Sequence, residues 1–148
     1  MTTFSSKEWT MKWNRLNAYF QGSLHYDHMT SEGFAVLQIV HSGISIISLK
    51  LFHQTIGGDW KELSLLLGLT GPVNKEALNA QQSVHLWALA ELYWLGELTF
   101  GSIEKFRRWL SKPKRVLNNQ SGKELLLTTY GIGLISQAVG RIAHGIAA

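Results

Sequence analysis

The sequence predicts an all-α protein, and three observations predict it. Apolar residues recur at three- and four-residue spacings through most of the 148 residues. Glycines fall where those patterns stop, and no stretch alternates apolar and polar residues as a half-buried strand does. Hydrophobic residues make up 45% of the chain and charged ones 16%, a balance that argues for packed structure over disorder.

Each element follows from a local pattern. Trp9, Trp13, Leu16 and Phe20 predict a helix from about Lys7 to Phe20, ended by Gly22 and Ser23; its stripe reads as core or as dimer contact. From Ser31, the residues Phe34, Leu37, Ile39 and Val40 predict a second helix that stops at His41-Ser42-Gly43. The Ile- and Ser-rich stretch from Ser45 to Ile56 fits a helical face through Ile44, Ile47, Leu51 and Phe52, and Gly57-Gly58 ends it. Asp59 is then an N-cap, with Glu62 three residues on, for a helix Trp60 to Leu67 that buries Leu63, Leu66 and Leu67.

A longer helix from about Asn79 to Leu98 carries Val84, Trp87, Leu89, Ala90, Tyr93 and Trp94 on a wide apolar stripe. Ser102 caps a helix to Leu110 with Ile103, Phe106, Trp109 and Leu110 inward and the arginines outward. Pro113 and Asn118-Asn119 enforce turns, and Ser121 to Leu127 gives one or two helical turns. The last helix runs from about Tyr130 to His144, with Leu134, Ile135, Ala138, Val139, Ile142 and Ile146 along one side. Gly131, Gly133 and Gly140 each cost such a helix up to ~1 kcal/mol relative to alanine. They are expected either to let another element approach closely or to leave the helix poorly ordered.

The net charge of +4 is unevenly placed. Between Gly101 and Lys123 lie Lys105, Arg107, Arg108, Lys112, Lys114, Arg115 and Lys123 against the single acid Glu104, a net +6, so the rest of the chain sums to -2. This piece reads either as a solvated helix face with a basic turn or as an electrostatic docking surface for an acidic partner or phosphates. Six tryptophans in a chain of this size predict that some face a partner.

Several functional classes are disfavoured. There is no cysteine, hence no disulfide and no thiolate chemistry. The first residues lack a signal-peptide pattern, and Lys50, His53 and Lys61 interrupt the most apolar region, so the expectation is a soluble, cytoplasmic protein. In the cluster of His25, Asp27 and His28 the two histidines, three apart, lack a recognisable third and fourth ligand for a metal site, while His41, His53 and His85 stand alone, as histidines with local hydrogen bonds do. No phosphate loop follows a strand, and no nucleophile-base spacing is evident. Neither catalysis nor a cofactor is expected.

Trp60 to Thr70 looks like the first helix and turn of a helix-turn-helix, with small Ser64 allowing close packing and Gly68 in the turn. A recognition helix should follow, yet Gly71 to Gln82 offers Lys75 as its one basic residue, offset by Glu76. The candidate DNA contacts reduce to Thr70, Asn74 and Lys75, and weak DNA binding is expected because phosphate neutralisation supplies much of a repressor's affinity.

The stretch WLSKPKRVLNNQSGKELLLTTYGIGLISQAVGRIAHGIAA, Trp109 to Ala148, combines a Trp-Leu pair, a basic turn, a short helix and a long helix ending in Arg-Ile-Ala-His-Gly-Ile. It resembles the Xre/MbcA/ParS toxin-binding domain at the C-terminus of bacterial type II antitoxins. Upstream, Ser31 to Thr99 is similar to the family's helix-turn-helix region, with Gly43, Ile44 and Gly57 bracketing a helix. The resemblance implies residues 31–100 as an Xre-like region and 101–148 as the toxin-binding domain, with 1–30 outside it. It also implies an antitoxin, as a homodimer, neutralising an NAD-consuming RES-domain or ParT-like toxin by covering its active site. The matching positions are Arg141, Ile142, His144, Gly145 and Ile146, with Ala147 and Ala148 as the tail. The rival expectation is a DNA-binding repressor whose C-terminal module only dimerises.

Overall fold

A computed structural model describes residues 6–25, 31–69 and 75–145. Their regular structure is eight α-helices, one 3-10 turn and one two-stranded hairpin, so the protein is all-α as predicted. The helices are α1 (Ser6–Tyr19), α2 (Glu32–Ser42), α3 (Ile46–Ile56), α4 (Trp60–Leu66), α5 (Ala80–Phe100), α6 (Ile103–Ser111), α7 (Gly122–Leu125) and α8 (Thr129–Ala143). The hairpin pairs β1 (Pro113–Lys114) with β2 (Gln120–Ser121), antiparallel, Pro113 opposite Ser121 and Lys114 opposite Gln120. Strands of two residues carry no alternation for a sequence to display. The chain divides into two compact units, Met1–Trp87 and Ala88–Ala148, and α5 runs through the division.

In the first unit, α1 and α3 meet through aromatic rings: Phe20 stacks on Phe52 at 4.9 Å and Tyr19 meets Phe52 edge-on at 6.5 Å. Trp13 is buried and stacks on Trp87 at 5.9 Å. The entry to α3 sets much of the remaining arrangement. Residues 44–46 lie antiparallel to 76–78, with Leu78 N–H donating to the Ile44 carbonyl at 2.8 Å and Ile46 N–H to the Glu76 carbonyl at 2.9 Å. Gly43, at φ +84°, permits this; a Cβ there would stand 2.5 Å from the Leu78 carbonyl oxygen. The Ile44 N–H donates to Oγ of fully buried Ser83 at 2.9 Å.

Three predicted faces are corrected by this geometry. Ser45 caps α3, its Oγ accepting from Ser48 N–H at 3.0 Å, and Ile44 lies outside the helix. The inward face is therefore Ile46, Leu49, Phe52 and Ile56, while Ile47 is 71% exposed. Both phases of the pattern are helical, and the bridge to residues 76–78 selects between them. In α2 the buried positions are Ala35, Ile39 and Val40, leaving Phe34 and Leu37 exposed. In α5 Val84 is exposed because its neighbour Ser83 turns inward to serve Ile44. The predicted cap at Asp59 is present, Oδ1 accepting from Lys61 N–H at 3.0 Å, and α4 buries Leu63 with Leu67 just beyond it, Leu66 being half-buried. No described tryptophan lies on the open surface: Trp13 and Trp87 are buried, and Trp9, Trp60, Trp94 and Trp109 are half-buried.

The second unit is centred on Phe106, fully buried in α6. Tyr93 meets its ring edge-on at 5.4 Å and Phe100 stacks on it at 5.8 Å. Ser102 caps α6 as predicted, Oγ accepting from Lys105 N–H at 3.2 Å. Gly122, at the start of α7, packs against Leu110 with no room for a side chain. Thr128 caps α8, its Oγ1 accepting from Gly131 N–H at 3.0 Å. Close approach at the α8 glycines is realised at Gly131, whose Cα lies against the Leu125 carbonyl; Gly133 and Gly140 face open space. Among the described residues no helix is long and apolar enough to cross a membrane.

Candidate functional site

Helix α8 has two unlike faces. Gly131, Ile132, Ile135, Ala138 and Val139 are buried, and opposite them Tyr130, Leu134, Gln137 and Arg141 recur at helical spacing. Tyr130 is 79% exposed, the most open large hydrophobic residue described, and Leu134 is 38% exposed. This outer face leads into a groove of about 380 Å³. Val116, Leu117, Leu125 and Leu134 supply its apolar lining, while Gln137 and Arg141 stand along one side. An arginine beside an apolar trough can pair with a carboxylate or carbonyl while its neighbours take an apolar side chain.

The sequence-predicted contacts are only partly on this face. Arg141 is exposed and lines the groove, whereas Ile142 is half-buried on the other side of α8. His144 is exposed and ends the helix, its N–H donating to the Gly140 carbonyl at 3.1 Å, and Gly145 follows at φ +75°. Ile146, Ala147 and Ala148 lie outside the described residues. The groove-lining Val116, Leu125, Leu134 and Gln137 were missed in the sequence, where the apolar ones pass for core. The available signal was the spacing from Tyr130 to Arg141 on the side opposite Ile135 and Val139.

The basic residues gather on α6 and the hairpin. Lys105 and Arg108 are exposed one turn apart on α6, Lys112 closes the helix, Arg107 is half-buried and Arg115 is exposed. Lys114 Nζ lies 5.3 Å from the Trp109 ring centroid, which holds β1 against α6. Asn118 and Asn119 both adopt left-handed conformations, φ 57° and 62°, and form the hairpin's exposed tip.

Of the three residues read as DNA contacts, Lys75 alone is among the described residues. Thr70 and Asn74 lie outside the described residues. Lys75 precedes α5 in a non-helical segment, and its Nζ donates to Gln82 Oε1 at 2.7 Å. Gln82 and Asn79 also form a reciprocal box at the start of α5: Gln82 N–H donates to Asn79 Oδ1 at 2.7 Å, and Asn79 N–H to Gln82 Oε1 at 3.1 Å. The Asn-x-x-Gln spacing announces this box, and it engages Lys75. His53 bonds locally as expected, Nε2 lying 2.8 Å from the Gly58 carbonyl oxygen. Asp27 and His28 lie outside the described residues, and among those described no cluster of three or more His, Cys, Asp or Glu is placed to hold a metal ion.

Comparison with known proteins points to the same end of the chain. Residues 95–145 match the family model of the antitoxin Xre/MbcA/ParS C-terminal toxin-binding domain. A curated Pseudomonas putida protein, "Antitoxin Xre", is 30% identical over 70 residues, which cover 47% of this chain and 44% of that protein. The chain thus matches less than half the length of this relative.

Proposed function

We propose that this protein, whose residues 95–145 match the toxin-binding domain model of Xre/MbcA/ParS antitoxins, is the antitoxin of a type II toxin-antitoxin pair. It holds its toxin against the outer face of α8. One observation carries the placement: Tyr130 and Leu134 are exposed in line with a groove walled by Arg141. Buried interface centres favour aromatic residues and arginine set among apolar neighbours, which this face offers ready-made.

Inhibition is steric and requires no chemistry from this chain. With α8 docked, His144 and Gly145 lead the backbone off the end of the helix and over the toxin's catalytic cleft, excluding its substrate. The sequence resemblance supports an NAD-consuming toxin of the RES or ParT type as the partner and a homodimer as the antitoxin's form. Control of its own operon is a second role for the first unit, in which Lys75 Nζ donates to Gln82 Oε1 at 2.7 Å.

The test uses the purified pair and an NAD-consumption assay. Arg141→Glu, with the fold checked by circular dichroism, is expected to weaken inhibition at least 30-fold, roughly the hot-spot range. Undiminished inhibition by Arg141→Glu together with Leu134→Asp would remove the α8 face from the toxin interface.

A further inference from the structure

The second unit carries a surface that differs in kind from the α8 face, and we infer that it binds the phosphate backbone of duplex DNA. This surface is the exposed side of α6 with the adjoining hairpin: Lys105, Arg108, Lys112 and Arg115, with Asn118 and Asn119 at the tip. The inference is independent of toxin binding.

Charge and composition choose the partner. Between Gly101 and Lys123 the chain is net +6, while residues 1–87 carry six cations and six acids. The excess of cations thus resides in the unit named for toxin binding. Protein interfaces need an apolar centre, yet among the described residues of this unit the exposed large hydrophobics, Leu98, Leu127, Tyr130 and Leu134, lie outside the segment 99–126. Beside the exposed Glu104, the α6-hairpin surface offers the exposed cations Lys105, Arg108, Lys112 and Arg115 with the amides of its tip, groups that contact phosphate oxygens.

The form of nucleic acid follows from the same residues. Single strands are held largely by stacking unpaired bases on open aromatic rings. The one tryptophan here, Trp109, has its ring engaged by Phe100, Phe106 and Lys114. No other aromatic residue lies between Ile103 and Thr129 apart from buried Phe106. A duplex needs no stacking platform. From Lys105 to Lys112 the helix rises about 10 Å, a length over which a duplex presents about six phosphates. In the hairpin, Arg115 adds a fourth exposed cation, and the tip is held in place by Asn119 N–H donating to the Lys114 carbonyl at 2.8 Å.

Fluorescence anisotropy of the full chain with a 20-base-pair duplex of arbitrary sequence tests the assignment. Four phosphate contacts predict a log-log salt slope of about -3.6, so affinity falls about 150-fold between 50 and 200 mM salt. The variant Lys105→Gln, Arg108→Gln, Lys112→Gln is expected to bring the slope to about -1, losing about 0.9 per cation, and Arg115→Glu alone to weaken binding at fixed salt. Each variant should retain the parent helicity and thermal midpoint, since all four side chains are exposed. Unchanged duplex affinity and slope in the triple variant overturn the inference. So does tighter binding of the corresponding single strand, or a triple variant that loses toxin affinity but keeps DNA affinity, which makes the surface a dock for an acidic protein face. Arg141→Glu separates the two surfaces: it should weaken toxin binding and leave duplex binding within twofold.

Discussion

The Cα of Gly131 rests against the carbonyl of Leu125, so closely that a Cβ at position 131 would overlap that oxygen. The contact joins the first turn of α8 to the last residue of α7, and it is made between backbones, which cannot swing aside. Gly131→Ala is therefore expected to destabilise the protein by about 1–3 kcal/mol through overpacking. Gly133→Ala and Gly140→Ala, which meet nothing within 4 Å, should stabilise it by up to ~1 kcal/mol each through helix propensity. Urea unfolding of the three single variants checks both signs.

Two serines one helix apart predict opposite outcomes. Ser83 Oγ accepts the buried Ile44 N–H, so Ser83→Ala leaves that donor without a partner and should cost about 1–3 kcal/mol. Ser64 Oγ is buried without a hydrogen-bond partner. Ser64→Ala removes an unsatisfied group and adds helix propensity, and should raise stability by about 1 kcal/mol. A thermal melt in which both variants shift the same way contradicts this assignment.

Gly96 and Phe106 form a matched pair, because a Cβ at position 96 would enter the Phe106 ring. Gly96→Ala should destabilise by about 1–3 kcal/mol. Phe106→Leu in the same chain should recover part of that loss, although it is itself destabilising. A double-mutant cycle reads the coupling, expected to be at least about 0.5 kcal/mol.

Tyr130 separates stability from binding. At 79% exposed, its replacement by alanine should alter unfolding free energy by no more than about 0.5 kcal/mol. The same change should weaken toxin association by about 2 kcal/mol, near 30-fold, if Tyr130 is an anchor. Isothermal titration against the partner measures it.

Helix positions were legible in the sequence because their signals are local: Ser102 and Asp59 as caps, Gly57 and Gly68 as stops, and helical spacing throughout. The inward face was less so. In α3 the sets through Ile47 and through Ile46 both satisfy a helical period, and the tie is broken by a backbone bridge to residues more than thirty positions away. The hairpin escaped notice because two-residue strands carry no pattern, although Pro113 and Asn118-Asn119 marked its turns. At the candidate site Arg141 was legible as a charge near a helix end. The groove beside it was not, because it is assembled from the 3-10 turn, α7 and α8.

The pairing of Ile44 with Leu78 has a kinetic consequence. Helical units usually fold quickly because their contacts are close along the chain. Here the hydrogen bonds that fix the start of α3 must close a loop of more than thirty residues, at an entropic cost of about 3 kcal/mol. The first unit has the secondary structure of a fast folder and the closure problem of a β-protein. Its rate of folding should depend on that closure, with α3 finding its final phase only once Ile44 has met Leu78.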